Sequence, residues 1–304
     1  MATFAQGSRS RLSYAVQSDF DTAATTGFVA LPYTTSALNL SKDRVAGTDI
    51  QTDRMPRHDR HGNRQVGGDI VADLREADFD PFLESVMLNT FATNDLTIGT
   101  SPKYFTIEDH AADIDQARLF TGCTVSSMNV SIAPNQMVTA TYNMVGKDMS
   151  ISGTEKTSVT ASSSNAPFDA YSGVVKLDDK DASSAATIAL VTSIDFTLNN
   201  SFAPTFVVGS AAAPALEVGR AEIEGTMTAY FEDAALINRF LNETESELTV
   251  QVGDGTNTLD FFFPRIKINS ADVSVDGPTS RVINMSFVAL YNSTDTTSFK
   301  ITRS

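Results

Sequence analysis

One stretch of this chain occurs twice. Gly68–Glu84 reads GDIVADLREADFDPFLE, and Gly225–Asn242 reads GTMTAYFEDAALINRFLN. Each copy opens at a glycine and continues through alternating residues, the period of a strand with one buried face. Ile70, Ala72 and Leu74 share that face in the first copy; Met227, Ala229 and Phe231 match them in the second. Each then passes through an acid–alanine pair, Glu76-Ala77 or Asp233-Ala234, into a short amphipathic helix. The copies lie 157 residues apart at the glycines and 158 at Phe82-Leu83 and Phe240-Leu241, so one residue separates the two spacings. That period is too long for a solenoid and suits a duplicated domain. The 304 residues are enough for two domains, each with its own core. The Ser/Thr run at 150–165 sets the expected boundary, giving domains 1–155 and 156–304.

Order along the chain supports the duplication. Ile194–Leu198 corresponds to Ser36–Leu40 at an offset of 158, and Asp272–Val275 to Asn129–Ile132. Strands are expected at Tyr104–Glu108, Cys123–Ile132 and Met137–Val145, and again at Leu259–Phe263, Lys267–Val275 and Val282–Leu290. Phe28–Leu31 and Ala37–Leu40 read as a first hairpin. Residues 1–27 read as a polar arm, disordered alone and ordered by lying on a neighbour. In the first helix Phe79, Phe82, Leu83, Val86 and Met87 form one buried stripe, with Asp78 as the expected N-cap and Pro81 in the first turn.

Two long connections precede the motif strands, 21 residues at 41–61 and 20 at 199–218. Connections of this length are functional or disordered. The first gathers Arg54, Arg57, His58, Arg60 and His61, with Arg64 just beyond, interleaved with Asp53 and Asp59. The second is apolar, with Phe202, Phe206, Val207 and Val208, and an apolar connection left in water would aggregate. Both are read as contact surfaces between subunits. The basic cluster is expected to meet an acidic neighbour; a nucleic-acid contact and a solvated face are the alternatives. Aspartates interrupt the cluster and no aromatic residue lies within it, which disfavours nucleic acid.

No catalytic constellation is expected. His58, Asp59 and His61 are too closely spaced for a metal site and sit among arginines. Glu76, Asp78, Asp80 and Glu84 cluster at a helix start, where the helix dipole favours acids whatever their chemistry. Cys123 lies in an alternating strand pattern, His110 in an acidic loop, and no phosphate-cradling or nucleophile-elbow motif occurs. The formal charge is −15: 12 basic against 18 acidic residues over 1–152, and 10 against 19 over 153–304. Neither half has the balance of a nucleic-acid clamp. MATFAQGSRSRLSY has no apolar signal core and no run is long enough to cross a membrane, so a cytoplasmic origin is expected, without membrane or cofactor.

DRHGNRQVGGDI (59–70), RLFTGCTVSSMNVSIAPN (118–135), FVVGS (206–210), AYFEDAALINRFLNETES (229–246) and MSFVALYNSTDTTSFKITR (285–303) resemble the major tail tube proteins of long-tailed, non-contractile bacteriophages. The resemblance spans nearly the whole chain. It implies a mainly β fold: two tandem copies of a tail-tube β-sandwich or partial barrel, each with one flanking helix. It further implies a structural, non-enzymatic virion protein assembled in the host cytoplasm. Trimeric, pseudo-hexameric rings would stack into a tube with an electronegative lumen through which DNA passes unbound. The implied partners are the chain itself and the tape measure, tail terminator and distal tail proteins. Another β-rich assembly protein, such as a tail terminator, secretion-tube or surface adhesin module, is the alternative.

Overall fold

The structure is a computed structural model describing residues 4–182, 186–187, 190–275, 277–278 and 280–304. The first half runs β1 (Ser10–Val16), β2 (Val29–Ala30), β3 (Thr35–Ser36), β4 (Asn39–Ala46), β5 (Asp59–Asp73), α1 (Asp80–Met87), β6 (Asp95–Thr97), β7 (Phe105–Ala111), β8 (Gln116–Ile132), β9 (Thr139–Gly146) and β10 (Asp148–Ser152). The second runs β11 (Asp169–Asp179), β12 (Ala186–Thr187), β13 (Val191–Asn199), β14 (Ala203–Thr205), β15 (Ala215–Glu217), β16 (Glu222–Tyr230), α2 (Ala235–Leu241), β17 (Ser246–Gly253), β18 (Thr258–Val273), β19 (Val282–Ala289) and β20 (Lys300–Arg303). The protein is mainly β, and every strand pairing between these elements is antiparallel.

The pairing order β1-β7-β8-β9-β5-β4 of the first half recurs as β11-β17-β18-β19-β16-β13 in the second. The irregularities recur too. A register shift between Phe105 and Ile107 on β7 matches one between Ser246 and Leu248 on β17. Another, between Val125 and Ser127 on β8, matches one between Ile268 and Ser270 on β18. Bulges bend a strand and raise its twist. β8 and β18 use them to run through two layers, pairing with β7 or β17 near their starts and β9 or β19 further on. Leu259–Phe263 and Lys267–Val275 are therefore not two strands. β18 runs unbroken through Pro264, which sits at the bulge, a place where a missing N–H is tolerated.

One sheet passes through both halves. β8 pairs with β13 from Ser127↔Asn199 to Ile132↔Ile194, so β4-β5-β9-β8-β13-β16-β19-β18 form eight consecutive antiparallel strands. The other layer packs on the inner face of this sheet. In the first half Tyr14, Phe79, Phe82, Phe105 and Tyr142 meet there ring to ring, Phe82 stacking on Phe105 at 5.0 Å. Phe196, Phe261, Phe263, Phe287 and Phe299 do the same in the second. Each large side chain so buried contributes about 1.5–3 kcal/mol.

The helix stripe is buried as its spacing predicts, Phe79 through Met87 lining the core. α2 is its weaker counterpart: no residue in it is buried, and Leu236, Ile237 and Phe240 only lean on the core. Asp78 is not the cap. Phe79 holds the N-cap position without a side-chain bond, and Asp78 instead accepts Ser163 N–H at 2.7 Å and Ser163 Oγ–H at 3.0 Å. The Ser/Thr run is thereby stitched to the first half, helped by Lys156 N–H on the buried Glu108 carboxylate at 2.5 Å.

Two expectations near the N-terminus are corrected. Ser10–Val16 is not an arm on a neighbour but a core strand on β7, with Leu12, Tyr14 and Ala15 buried. Phe28–Leu31 and Ala37–Leu40 do not form a hairpin together: β2 lies on β1, whereas β3 and β4 lie on β5.

The repeated glycines have a steric cause. A Cβ on Gly68, whose φ is +137°, would lie 2.3 Å from the Ala37 carbonyl oxygen. A Cβ on Gly225 would lie 2.3 Å from the Phe287 ring and 2.8 Å from the Asp195 carbonyl oxygen. In both copies a neighbouring segment lies too close for a side chain, backbone at Gly68 and the Phe287 ring with Asp195 backbone at Gly225. Gly68→Ala is therefore expected to destabilise the fold by about 1–3 kcal/mol, read as a lowered Tm in thermal unfolding, because its obstacle is backbone that cannot rotate away.

Candidate assembly surfaces

Four features of the surface are arranged for contact, and each follows from the sheet. The first is its solvent face. With Ile70, Ala72, Val130, Ala140, Ile194, Phe196, Met227, Ala229 and Met285 inside, the alternate residues point out. Cross-strand rows there join Asp73 to Thr139 and Ser131, then Asp195, Thr226, Ser286 and Ser270. Asp69, Asp73, Asp195, Glu222, Glu224 and Asp272 all lie on this face among Asn, Ser and Thr. Its Lys267, towards one edge, is drawn to Glu243 at 2.5 Å, and Arg220 beside it to Glu222 at 2.8 Å.

The sheet's two ends are the second feature. Among the described residues, Ser270–Val273 of β18 pair only with β19, and β3 and β4 only with β5. Each leaves an open edge, a template for another strand.

The third is the pair of long connections, which are hairpins rather than loops. Residues 41–46 belong to β4 and 59–61 to β5, paired from Asn39↔Gly67 out to Ala46↔Asp59, and residues 47–58 make the tip. Both faces of the outer part are in water, so it projects from the sheet. Arg54, Arg57, His58, Arg60 and His61 are exposed there, with Arg57 paired to Asp53 at 2.6 Å and Arg44 to Asp59 at 2.8 Å. Arg64, at the root, is half-buried and paired to Asp148 at 2.7 Å. The connection 199–218 forms the small β14–β15 hairpin. It folds back: Arg64 N–H donates to Ala211 O at 2.8 Å. Phe202 tucks beside Phe20, Tyr104 and Leu216, while Phe206, Val207 and Val208 stay exposed at the turn. Sequence reasoning missed the apolar tip of the first hairpin, Ile50 at 100% exposure, Met55 at 65% and Val45 at 55%.

The remaining chemistry-bearing residues serve the fold. Cys123 is enclosed and burial pushes its thiol up. Glu76 accepts Asn165, and Glu84 binds Lys103 and Phe91 N–H. His110 is buried between Asp115 and Glu155. No helix is long and apolar enough to cross a membrane among the described residues.

A family model described as phage tail tube protein matches residues 7–289. The chain belongs to the phage tail tube protein family. No curated protein matches it. Family membership makes this a structural component of a phage tail, and it accounts for a surface furnished with open edges and hairpins.

The fourth feature of this tail tube protein is a clasp between its halves. β6 of the first half pairs with β20 of the second, Leu96 opposite Ile301, both fully buried. Arg303 then reaches Asp80 at the start of α1 and covers the Phe91 ring at 4.4 Å. Burial raises the Asp80 carboxyl to about 6; Arg303 opposes the rise, and Glu84 and Glu76 reinforce it. A carboxyl raised by folding stabilises fully below its unfolded pKa and loses that contribution as pH climbs through the folded one. The Tm of the wild type relative to Asp80→Asn should therefore fall between pH 4 and pH 7, as melts of both proteins across that range would record.

Proposed function

We propose that the chain builds the tube of a phage tail as trimeric rings that stack, each chain supplying two tube domains, 1–155 and 156–304. The observation that carries this is the β8–β13 seam. Within one chain, the free end of a first-half sheet receives the leading strand of a second half, with Met128↔Leu198, Asn129↔Thr197 and Val130↔Phe196. The same two edges stand open at the ends of the chain's sheet. Carrying the register over by the repeat places Ala271 opposite Leu40, Asp272 opposite Asn39 and Val273 opposite Leu38 of the next chain. Head-to-tail contacts of this kind close when the rotation completes a circle. Three chains give six domains and one continuous barrel.

The acidic face is then the lumen wall. Duplex DNA carries one negative charge per about 1.7 Å of axis, so a wall of Asp, Glu, Ser, Thr and Asn gives it nothing to bind. The β4–β5 hairpin projects from one end of the sheet and supplies contacts between rings. The tape measure, tail terminator and distal tail proteins would meet the column's lumen and ends, and assembly in the host cytoplasm needs no cofactor.

Electron microscopy of the purified protein or of virions should show stacked rings with three true repeats; density obeying strict sixfold symmetry, hairpins included, contradicts the trimer. Neighbouring strand residues point their N–H groups to opposite edges. Of Asp272→Pro and Val273→Pro, one therefore breaks a bond to β19 while the other removes only the outward donor. The latter should give folded chains that elute as monomers and form no rings. Reversing Arg54, Arg57 and Arg60 to Glu should instead leave rings that stack poorly in sedimentation assays.

A further inference from the structure

We infer that the hairpin tip of one chain seats in a cleft between the two halves of a chain in the adjoining ring. The inference rests on the tube reading above and names the receiving site that reading leaves open. The cleft holds about 340 Å³ and is lined largely by apolar groups, among them Ile132, Pro134, Val174, Val191 and Ile194, with Tyr171 at its mouth. Tyr171 is 96% exposed, held out by the register shift in β11 between Asp169 and Val174.

Position favours this pairing. β5 leaves the hairpin opposite Gly146 at Val66 and ends opposite Thr139 at Asp73, while β8 passes from Thr124 beside Val145 to Ser131 beside Thr139. The hairpin and the cleft therefore occupy opposite ends of the same strands, about 23 Å apart along β5 at roughly 3.3 Å per residue. Identical rings stacked head to tail bring one end of each chain against the other end of the next.

Number agrees as well. The cleft needs the β8–β9 turn from the first half and β11 and β13 from the second, so a chain forms one. It also projects one hairpin, because the second-half counterpart folds back on Arg64. Chemistry agrees too. Ile50, Met55 and Val45 are aliphatic side chains left in water at the tip, and an apolar cleft removes them from it. Asp169 adjoins the cleft lining at Ala170, and the hairpin brings Arg54 to meet it.

The test uses the full chain carrying Ile50→Cys with Tyr171→Cys. Cys123 is buried, so the introduced pair supplies the reactive thiols. Assembled tubes under mild oxidation should yield a ladder of cross-linked chains in non-reducing gels, absent from either single variant. Ala170→Arg, which fills the cleft, should leave folded rings that no longer stack. Tubes without the ladder, together with normal stacking of Ala170→Arg, overturn the cleft as receiver and leave the tube reading standing. Wild-type protein that forms neither rings nor tubes overturns both.

Discussion

The backbone hydrogen bonds between Ser127–Ile132 of β8 and Ile194–Asn199 of β13 decide the form of this molecule. Without that seam the two halves would be separate sandwiches joined by the β6–β20 clasp and a tether. With it, their sheets share one surface, and their acids, edges and hairpins acquire fixed relative positions. The seam is backbone pairing, helped by Asn129 Nδ2 donating to Phe196 O and Thr197 Oγ1, and its backbone part can be offered to a second chain in the same geometry. Few contacts other than strand addition can be both internal and repeatable in this way. A chain of two such halves makes use of that: half of the junctions in the proposed ring form during folding, and only the other half await assembly.

The two halves differ where each junction's neighbours differ. The α1–β7 connection is long enough to carry β6, which clasps β20, whereas Asn242–Glu245 between α2 and β17 leaves no room for an equivalent. Ile301 is buried under that clasp; its counterpart on β10, Ile151, is 68% exposed. The internal junction is therefore reinforced and the proposed external one is not. That difference suits their tasks. An internal junction has to survive in the free chain, while an external one must stay open until partners arrive, and stacked neighbours can reinforce it afterwards.

How much of this was legible in the sequence depended on whether a signal was local. The motif strand and α1 were readable because Gly68, the alternation after it and the Phe79–Met87 stripe lie within twenty residues. β1 was not, because its partner β7 lies about a hundred residues on and its polar flanks resemble an arm. The hairpin 41–61 read as a loop for a physical reason: both faces of its outer strands meet water, so the alternation that marks a half-buried strand is missing. Of the proposed contact residues, the exposed arginines and histidines, and Phe206, Val207 and Val208, lie on the surface; Arg64 and Phe202 are partly enclosed by their own chain. The acids of the sheet face were individually visible, but only strand register could show that they share one face.

That face also explains how an acidic wall coexists with a stable sheet. Asp73 and Asp195 lie three strands apart, about 14 Å at roughly 4.8 Å per strand, and Glu224 and Asp272 are separated by two strands and four residues along them, about 16 Å. Both separations exceed the screening length of about 8 Å at physiological salt. Across strands the carboxylates therefore repel one another weakly. Glu222, two residues from Glu224 on the same strand, is countered by Arg220, and the hydroxyl and amide residues between the acids hold water without adding charge. In the proposed tube, a polyanion moving along the wall faces each carboxylate in turn at short range, where screening protects it least. Spacing the charges this way keeps the cost to folding and to the proposed ring closure low, while giving DNA in such a tube no place to bind.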